Sequence, residues 1–398
     1  MTRKFEHADD SVVVDEITEQ WKAASADRDW TSYACKLVTP LYGGGVSAGV
    51  VDQAMPVRAA ALRGQLRFWW RMACAPLDDP KAMFKAESAI WGGIGAKGPA
   101  ASRVRVRVVS SCVSASDLVP SDAERDIAIR YAFGPSSING VTHWLRAGFA
   151  FQFLLDCPDA CAEEVELALR WWASFGGLGA RTRRGFGTVH VKDLAPVSAA
   201  MVADRGGALQ LGRQGSGDPL QQWRLAVNKL FAFRQAPGVG RRAGHPRPSR
   251  SFWPEPDQIR RFFPGRDANG RHRPVHEGGN AFPRAAFGMP IRFEFPGSPR
   301  NGEPETTELL PGGGEDRMAS PLVLGPYWDG QRWRRMALLL PKWERALNTP
   351  LRFKDHPFTP RPWPTNADAR ARIAATVAPM RERGNDPLTA FMHFFTEE

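Results

Sequence analysis

The sequence predicts an α+β fold, and two observations support this. In the first half, apolar residues recur every second position in some segments and every third or fourth in others, in the order strand, helix, strand, strand, helix, strand. In the second half, similar strand and helix patterns recur less regularly, between stretches rich in proline, glycine and arginine. A chain of 398 residues, 43% of them hydrophobic, can bury two cores. We therefore expect a β-α-β-β-α-β unit followed by a second, degenerate copy with insertions.

The first unit opens with a strand inside residues 33–44, which ends where a proline and several glycines interrupt it. A helix is predicted over 57–74, because Leu62, Leu66 and Trp69 recur at helical spacing. The other predicted elements are a short helix at 81–93, strands at 102–111 and 148–156, a helix at 161–175 and a strand at 186–194. This order is that of ferredoxin-like domains, which RNA-recognition motifs (RRM) share.

The second unit begins with a helix over 218–234, which starts at an Asp-Pro pair. Two strands inside 319–343 are joined through Asp329-Gly330, a dipeptide typical of hairpin turns. The remaining predicted elements are a short helix at 255–263, a strand at 286–295 and a helix at 367–383. The predicted organisation is an acidic N-terminal extension at 1–33, a first ferredoxin-like domain at 34–196 and a second at 197–398, with an arginine-rich insert at 236–276.

The charge of the chain indicates an anionic partner. The formal net charge is +11, and 43 of the 53 basic residues are arginine. Arginine forks onto phosphate and stacks on bases, so nucleic acid is the first expectation and a membrane surface the second. Residues 197–398 carry 30 basic and 20 acidic side chains, against 23 and 22 in residues 1–196. A general compositional bias toward arginine is the alternative explanation.

The sequence disfavours several classes of protein. Five cysteines at irregular spacing suggest a reducing compartment rather than a disulfide framework. The first residues are polar and acidic, unlike a signal peptide, and no apolar run approaches the length of a membrane span. Cys157 and Cys161 have no second pair at zinc-ligand spacing, so we expect neither a metal nor a cofactor. The expected location is the cytoplasm.

The basic helix at 57–74 is the first candidate for contacting nucleic acid. Its arginines and one of its tryptophans could combine phosphate contacts with base stacking. The alternative is a core helix whose arginines extend along its edges, and Trp69 is assigned to the core because it shares the face of Leu62 and Leu66. The candidate contacts are Arg58, Arg63, Arg67, Arg71 and Trp70.

The glycine-rich loop "GGLGARTRRGFGTV" (176–189) is the second candidate. Its glycines would let backbone N–H groups approach phosphate oxygens, and its arginines would supply charge. No Gly-Lys-Ser/Thr follows, and the loop leads from a helix into a strand, so a polynucleotide backbone fits better than a mononucleotide. A plain surface turn is the alternative. The candidate residues are Gly176, Gly177, Gly179, Arg181, Arg183, Arg184, Gly185 and Gly187.

Three stretches together resemble one family. They are "TPLYGGG" (39–45), "RAAALRGQLRFWWR" (58–71) and the glycine-rich loop, and they are similar to stretches of subunit one of the Cmr complex, the type III-B CRISPR effector. The later stretches "AFGMPIRFEF", "MASPLVLGPYWDG" and "GNDPLTAFM" resemble other parts of the same family. The segment "LRGQLRFWWR" is specific to this subunit, whereas the loop is shared across the RAMP superfamily of CRISPR RNA-binding proteins.

The resemblance implies two ferredoxin-like domains packed together. It implies a non-catalytic, RNA-binding subunit at the head of the complex, near the 3′ end of the guide RNA, where it helps to capture target RNA in antiviral defence. The implied partners are the guide CRISPR RNA, the single-stranded target RNA and the other Cmr subunits. The implied contacts are the arginines of the basic helix and the glycines and arginines of the loop.

Two other functions remain open from the sequence. The chain could be a RAMP endoribonuclease that processes CRISPR transcripts, with His143 or His190 as the acid or base. It could also be an architectural protein that binds RNA through charge alone, which predicts equal binding to any polyanion.

Overall fold

The structure is a computed structural model that describes residues 29–47, 49–95, 98–110, 112–120, 124–134, 143–244, 250–263, 273–276, 280–295 and 302–397. Most of the predicted N-terminal extension, up to residue 28, lies outside the described residues, as do residues 245–249 and 264–272 of the predicted insert. The predicted mixture of helices and strands is confirmed, and the strands form several small antiparallel sheets.

The α-helices of the described residues are α1 (Ala59–Ala73), α2 (Pro80–Trp91), α3 (Ile127–Phe133), α4 (Asp159–Phe175), α5 (Ala199–Asp204), α6 (Pro219–Gln235), α7 (Glu255–Phe262), α8 (Ala367–Thr376) and α9 (Pro387–Thr396). The strands are β1 (Thr31–Leu37), β2 (Leu41–Tyr42), β3 (Gly93–Gly95), β4 (Gly98–Ala100), β5 (Arg105–Ser110), β6 (Leu118–Pro120), β7 (His143–Leu145), β8 (Ala150–Asp156), β9 (Val189–Val191), β10 (Ala208–Ser216), β11 (Ile291–Phe293), β12 (Thr307–Pro311), β13 (Leu322–Trp328), β14 (Trp333–Leu339) and β15 (Leu351–Phe353).

The largest sheet has the strand order β5-β8-β1-β9, and all its pairings are antiparallel. Along β8, Phe151, Phe153 and Leu155 are buried, whereas Ala150 and Gln152 are exposed, as the two-residue repeat of a half-buried strand requires. Helices α1 and α4 pack against each other and contribute their buried faces to the same core as this sheet. Its strands and these helices follow the chain in the predicted order, β1, α1, β5, β8, α4, β9.

Two small sheets, β2-β7-β6 and β3-β4, and the short helix α3 were not predicted. Strands of two or three residues show too few repeats for a period to be recognised. Asp126 caps the start of α3, where its carboxylate accepts hydrogen bonds from the N–H groups of Ala128 and Ile129, and Gly134, with φ 79°, follows its end.

The second half contains a three-stranded sheet of order β10-β14-β13, with helix α6 following β10. The predicted hairpin is present: Trp328 pairs with Trp333, and the Asp329 carboxylate accepts from the N–H groups of Gln331 and Arg332. Strand β10 was missed because glycines weaken its strand pattern, and its register shifts between Leu211 and Gly215.

Two predicted elements are shorter than expected. The strand expected at 286–295 covers only β11, because Pro290 cannot donate to a ladder and residues Pro283–Phe287 form a 3₁₀ turn. The helix expected at 367–383 ends at Thr376, two residues before Ala378, which precedes Pro379 and is therefore biased away from helix.

The insertion between α6 and β13 holds α7 and two strands of the β11-β12-β15 sheet.

The two halves share one core. Tyr327 and Met336 of the second half belong to the same buried cluster as Trp171 and Phe175 of the first. The Tyr327 ring stacks on Phe175 of the first half with centroids 5.9 Å apart, and its hydroxyl donates to the carbonyl of Val197, the first residue of the second half, at 2.9 Å. The five cysteines are free, and no helix among the described residues is long and apolar enough to cross a bilayer.

Candidate nucleic-acid interface

Arg58 lies at the position immediately before α1. Its backbone is extended there, with φ −104° and ψ 136°, and its Nη2 donates to the Gly45 carbonyl at 3.3 Å. Its Nε is buried and has no hydrogen-bond partner among the described residues. Arg58 therefore connects the start of the basic helix to the glycines of the "TPLYGGG" stretch. Arg63, one turn further along α1, is exposed.

Arg67 and Arg71 both bind Glu87 of the neighbouring helix α2. The Nε of Arg67 donates to Glu87 Oε1 at 2.8 Å, and Arg71 donates from Nε and Nη2 at 2.6 and 2.7 Å. Glu87 is only 3% exposed. Burial alone would raise the pKa of Glu87, but the hydrogen bonds from Arg71 and Arg67 outweigh it and leave the pKa below its ordinary value. The structure thus divides the predicted basic stripe, and two of its arginines hold α2.

Trp70 is 1% exposed, and its Nε1 donates to Glu164 Oε2 of α4 at 2.7 Å. This burial contradicts the base-stacking role predicted for Trp70. Trp69 is buried as expected, at 3% exposure. The sequence pattern is compatible with burial of both tryptophans, because Trp70 follows Leu66 by four residues and so shares a helical face with it.

The glycines of the loop are packed against protein. A Cβ at Gly176 would lie 2.5 Å from the Trp172 ring, and one at Gly177 would lie 2.8 Å from the Gly187 carbonyl. The N–H groups of Gly176, Gly185 and Gly187 donate to the carbonyls of Trp172, Thr182 and Pro40 at 2.7, 2.9 and 2.8 Å. The sequence suggested phosphate contacts for these glycines. In the structure they pack against protein, and the N–H groups of Gly176, Gly185 and Gly187 are used inside the chain.

Gly179 is the loop glycine that lies nearest the surface glycines of the first motif. Its φ is 76°, a Cβ there would lie 2.4 Å from the Tyr42 carbonyl, and a Cβ at Gly44 would lie 3.4 Å from the Gly179 Cα. The N–H of Ala180 donates to the same Tyr42 carbonyl at 2.7 Å. The two glycine turns therefore lie back to back, although they are more than 130 positions apart in sequence.

Arg181 is exposed and adopts the left-handed conformation, with φ 61°. Its guanidinium reaches toward the end of α3, 3.6 Å from the position of a Cβ at Gly134. We call the surface formed by Arg58, Gly44, Gly45, Gly179, Ala180 and Arg181 the glycine rim. It combines one exposed and one half-buried arginine with backbone that carries almost no side chains, which suits close approach of a phosphate backbone.

Arg183 and Arg184 point away from the glycine rim and into the second half of the chain. Arg183 Nη1 donates to the Ser320 carbonyl, and its guanidinium lies 5.6 Å from the Phe68 ring centroid. Arg184 Nη2 donates to the Phe287 carbonyl at 3.4 Å. Burial lowers the pKa of both guanidiniums, that of Arg184 to about 10. These two arginines therefore join the halves of the same chain.

The sequence did not single out Thr39, which is fully buried and bonded to Gly185 and Thr188 at the end of the glycine-rich loop. Its position in "TPLYGGG" was the available indication. The two histidines considered for catalysis lie in different sheets: His143 is exposed on β7, and His190 on β9 lies 5.4 Å, between ring centroids, from both Trp328 and Trp333. Among the residues that the structure describes, no group of three or more His, Cys, Asp or Glu is placed to hold a metal ion.

A family comparison agrees with the motifs. Residues 34–190 match the model of the RAMP superfamily. The matched segment runs from β1 into β9 and contains both the basic helix and the glycine-rich loop. The sequence motifs and this model thus point to the same superfamily over this part of the chain. No curated protein matches the sequence.

Several solved structures are similar to the chain. The crystal structure of apo Cmr1 from Pyrococcus furiosus matches at 13% identity with a TM-score of 0.39, over 78% of this chain and 87% of that one. A cryo-EM structure of type III-B Cmr-beta bound to cognate target RNA matches at 12% identity with a TM-score of 0.30, over 47% of this chain and 66% of that one. A second, with AMPPnP and in the presence of single-stranded DNA, matches at 12% identity with a TM-score of 0.29, over 53% and 64%.

Proposed function

We propose that this chain is a non-catalytic, RNA-binding subunit of a type III-B CRISPR effector complex, the counterpart of subunit one of the Cmr complex. In this role it contacts the guide CRISPR RNA and the single-stranded target RNA at the head of the complex, near the 3′ end of the guide, in the cytoplasm. The observation that carries the proposal is the RAMP match over 34–190, which contains both motifs that form the glycine rim.

The glycine rim gives the proposal a physical basis. Arg181 and Arg58 flank glycine turns whose missing side chains let a sugar-phosphate backbone come close. Arg63 on α1 is also exposed and supplies a further contact. Because such contacts recognise phosphates rather than base edges, they suit a subunit whose sequence specificity comes from the guide RNA.

The proposal includes two ferredoxin-like domains, the second degenerate, at 34–196 and 197–398. Support comes from the strand orders. In the sheet β10-β14-β13, these strands take the positions that β1, β8 and β5 have in the sheet β9-β1-β8-β5. In each half the first strand of the sheet precedes a helix, and two further strands of the same sheet come after that helix in the chain. The second half lacks a strand equivalent to β9 among its described residues.

Purification of the chain together with its native partners tests the function. We expect several other subunits and small RNAs with uniform, repeat-derived 5′ ends. Recovery of the chain without RNA, or with RNAs of random sequence, would contradict the proposal.

A cleavage assay separates the enzyme alternative. We expect the chain to leave a CRISPR transcript intact. Cleavage that disappears when His143 or His190 is replaced by alanine would favour the endoribonuclease instead.

A further inference from the structure

Four arginines gather where the glycine-rich loop, the end of α6 and the insertion meet. Arg184 comes from the loop, Arg234 from the last turn of α6, Arg241 from the segment after it, and Arg284 from the 3₁₀ turn Pro283–Phe287. Phe287 connects them: its carbonyl accepts from Arg184, and its ring centroid lies 5.5 Å from the Arg234 guanidinium. We call these four arginines the junction cluster.

The cluster holds more positive charge than the protein compensates. Glu255, which is fully buried, lies with Oε2 at 3.2 Å from Arg284 Nε. Arg241 donates from Nε to the neutral Gln235 Oε1 at 2.8 Å. In the part of the chain that the structure describes, no carboxylate forms an ion pair with Arg184, Arg234 or Arg241. Four guanidiniums therefore share one carboxylate.

Four donors of the cluster are buried without a hydrogen-bond acceptor among the described residues. They are Arg184 Nη1, Arg234 Nε and the Nε and Nη2 of Arg284, a residue that is only 7% exposed. Burial and the nearby charge of Arg234 hold the pKa of Arg184 at about 10. A buried charged donor without an acceptor is costly, so its presence calls for a ligand.

Aromatic rings account for part of the environment but not for the charge. The Arg234 guanidinium lies 5.9 Å from the Tyr131 ring centroid, and that of Arg284 lies 5.2 Å from Phe293. Such contacts stabilise a guanidinium but accept none of its N–H hydrogen bonds in the way that an anion does. Among the described residues, the rings thus leave the buried guanidinium N–H groups without acceptors and the positive charge of the cluster without matching carboxylates.

We propose that the junction cluster binds a phosphate group through Arg184, Arg234 and Arg284. Guanidinium forks match phosphate oxygens in geometry, and a phosphate supplies both the acceptors and the negative charge that the cluster lacks. The phosphate is a free anion or a phosphodiester of RNA; the second source rests on the proposed function. Arg184 lies in the same loop as Arg181, three positions after it, on the side that contacts the second half of the chain.

Thermal unfolding of the whole chain in phosphate tests the site. We compare sodium phosphate with sodium chloride at matched ionic strength, and expect phosphate to raise Tm saturably by about 2–5 °C. Arg234→Gln should show no such rise in Tm. Arg184→Gln should show none either, and it replaces Arg234→Gln in the test if that variant does not fold. The control Arg71→Gln, whose arginine binds Glu87, should keep it. An equal Tm in both salts, or an undiminished rise in both cluster variants, would overturn the proposal.

RNA binding by the same proteins identifies the source of the phosphate. Weakening of single-stranded RNA binding by about tenfold in Arg234→Gln assigns the site to an RNA phosphodiester. If Arg234→Gln loses the Tm rise in phosphate but binds RNA as tightly as wild type, the site binds free phosphate. If wild type shows the phosphate effect but binds no RNA, the proposed function fails and the site stands. If RNA binds but phosphate has no effect and the variants bind RNA normally, the site alone fails.

Discussion

Thr39 and Gly185 are 146 positions apart, and the Thr39 hydroxyl donates to the Gly185 carbonyl at 2.6 Å. The same hydroxyl oxygen accepts the N–H of Thr188 at 2.8 Å. Thr39 is fully buried, so neither bond competes with water. One side chain thus joins the "TPLYGGG" stretch to both ends of the turn that follows the loop arginines.

Replacement of Thr39 by valine keeps its shape but removes both hydrogen bonds: the buried Thr188 N–H is left unpaired, and the Gly185 carbonyl keeps only the bond from the Thr188 hydroxyl at 3.1 Å. We expect Thr39→Val to lower the free energy of unfolding by about 1–3 kcal/mol. Thr39→Ser, which keeps the hydroxyl, should lose less. Urea unfolding measures both, and a valine variant as stable as wild type would show that the bonds contribute nothing.

Gly187 should tolerate no side chain. Its φ is 66°, and a Cβ there would lie 2.0 Å from the Leu178 carbonyl oxygen. We expect Gly187→Ala to destabilise the protein by about 3 kcal/mol or more. Gly64, exposed in α1 with nothing within 4 Å of its Cβ position, is the control.

At Gly64, alanine should instead stabilise the protein by about 0.5–1 kcal/mol, because glycine is a poor helix former. Thermal or urea unfolding compares the two variants. Equal effects would mean that the loop glycines are replaceable and that the packing described for them is wrong.

Glu87 should stabilise the protein in a pH-dependent way. Burial raises its pKa, but hydrogen bonds from Arg71 and Arg67 lower it further, so the folded-state pKa lies below the unfolded one. The contribution is therefore present above the unfolded pKa and is lost as pH falls through the folded pKa. We expect Glu87→Gln to cost about 1–3 kcal/mol at pH 7.

The difference between wild type and Glu87→Gln should shrink as the pH falls below about 4.3, the ordinary pKa of a glutamate, because the carboxylate of the unfolded chain is protonated there before that of the folded protein. Unfolding free energies measured between pH 7 and pH 3 test this. Glu163→Gln, on the exposed face of α4, is the control and should change little. A cost that stays constant or grows on acidification would contradict the ion-pair assignment.

The sequence predicted the main elements because their periods are long enough to recognise. Helix α1 lies within one residue or two of the predicted 57–74, and the hairpin at Asp329-Gly330 is in place. The strands of two or three residues that surround the glycine rim have no such period. Their formation depends on contacts between distant segments, which a single sequence does not reveal.

The sequence predicted which residue types form the candidate site, but not which of them are exposed and which bind other parts of the protein. Arginines at every fourth position of α1 looked alike in sequence, yet Glu87 from the next helix binds Arg67 and Arg71 and leaves Arg63 exposed. In the loop, likewise, Arg181 faces solvent while Arg183 and Arg184 bind carbonyls of the second half. Which arginine finds a protein partner is decided by tertiary packing.

The central claim is that RNA binds at the glycine rim, and the salt dependence of single-stranded RNA binding tests it most directly. We expect Arg181→Ala to weaken binding by roughly fivefold and to reduce the slope of log affinity against log salt by about 0.7, the value for one lost phosphate contact. Arg67→Ala, which removes the same charge from an arginine bound to Glu87, should leave the slope unchanged. An unchanged slope in Arg181→Ala, or equal losses in both variants, would contradict the account.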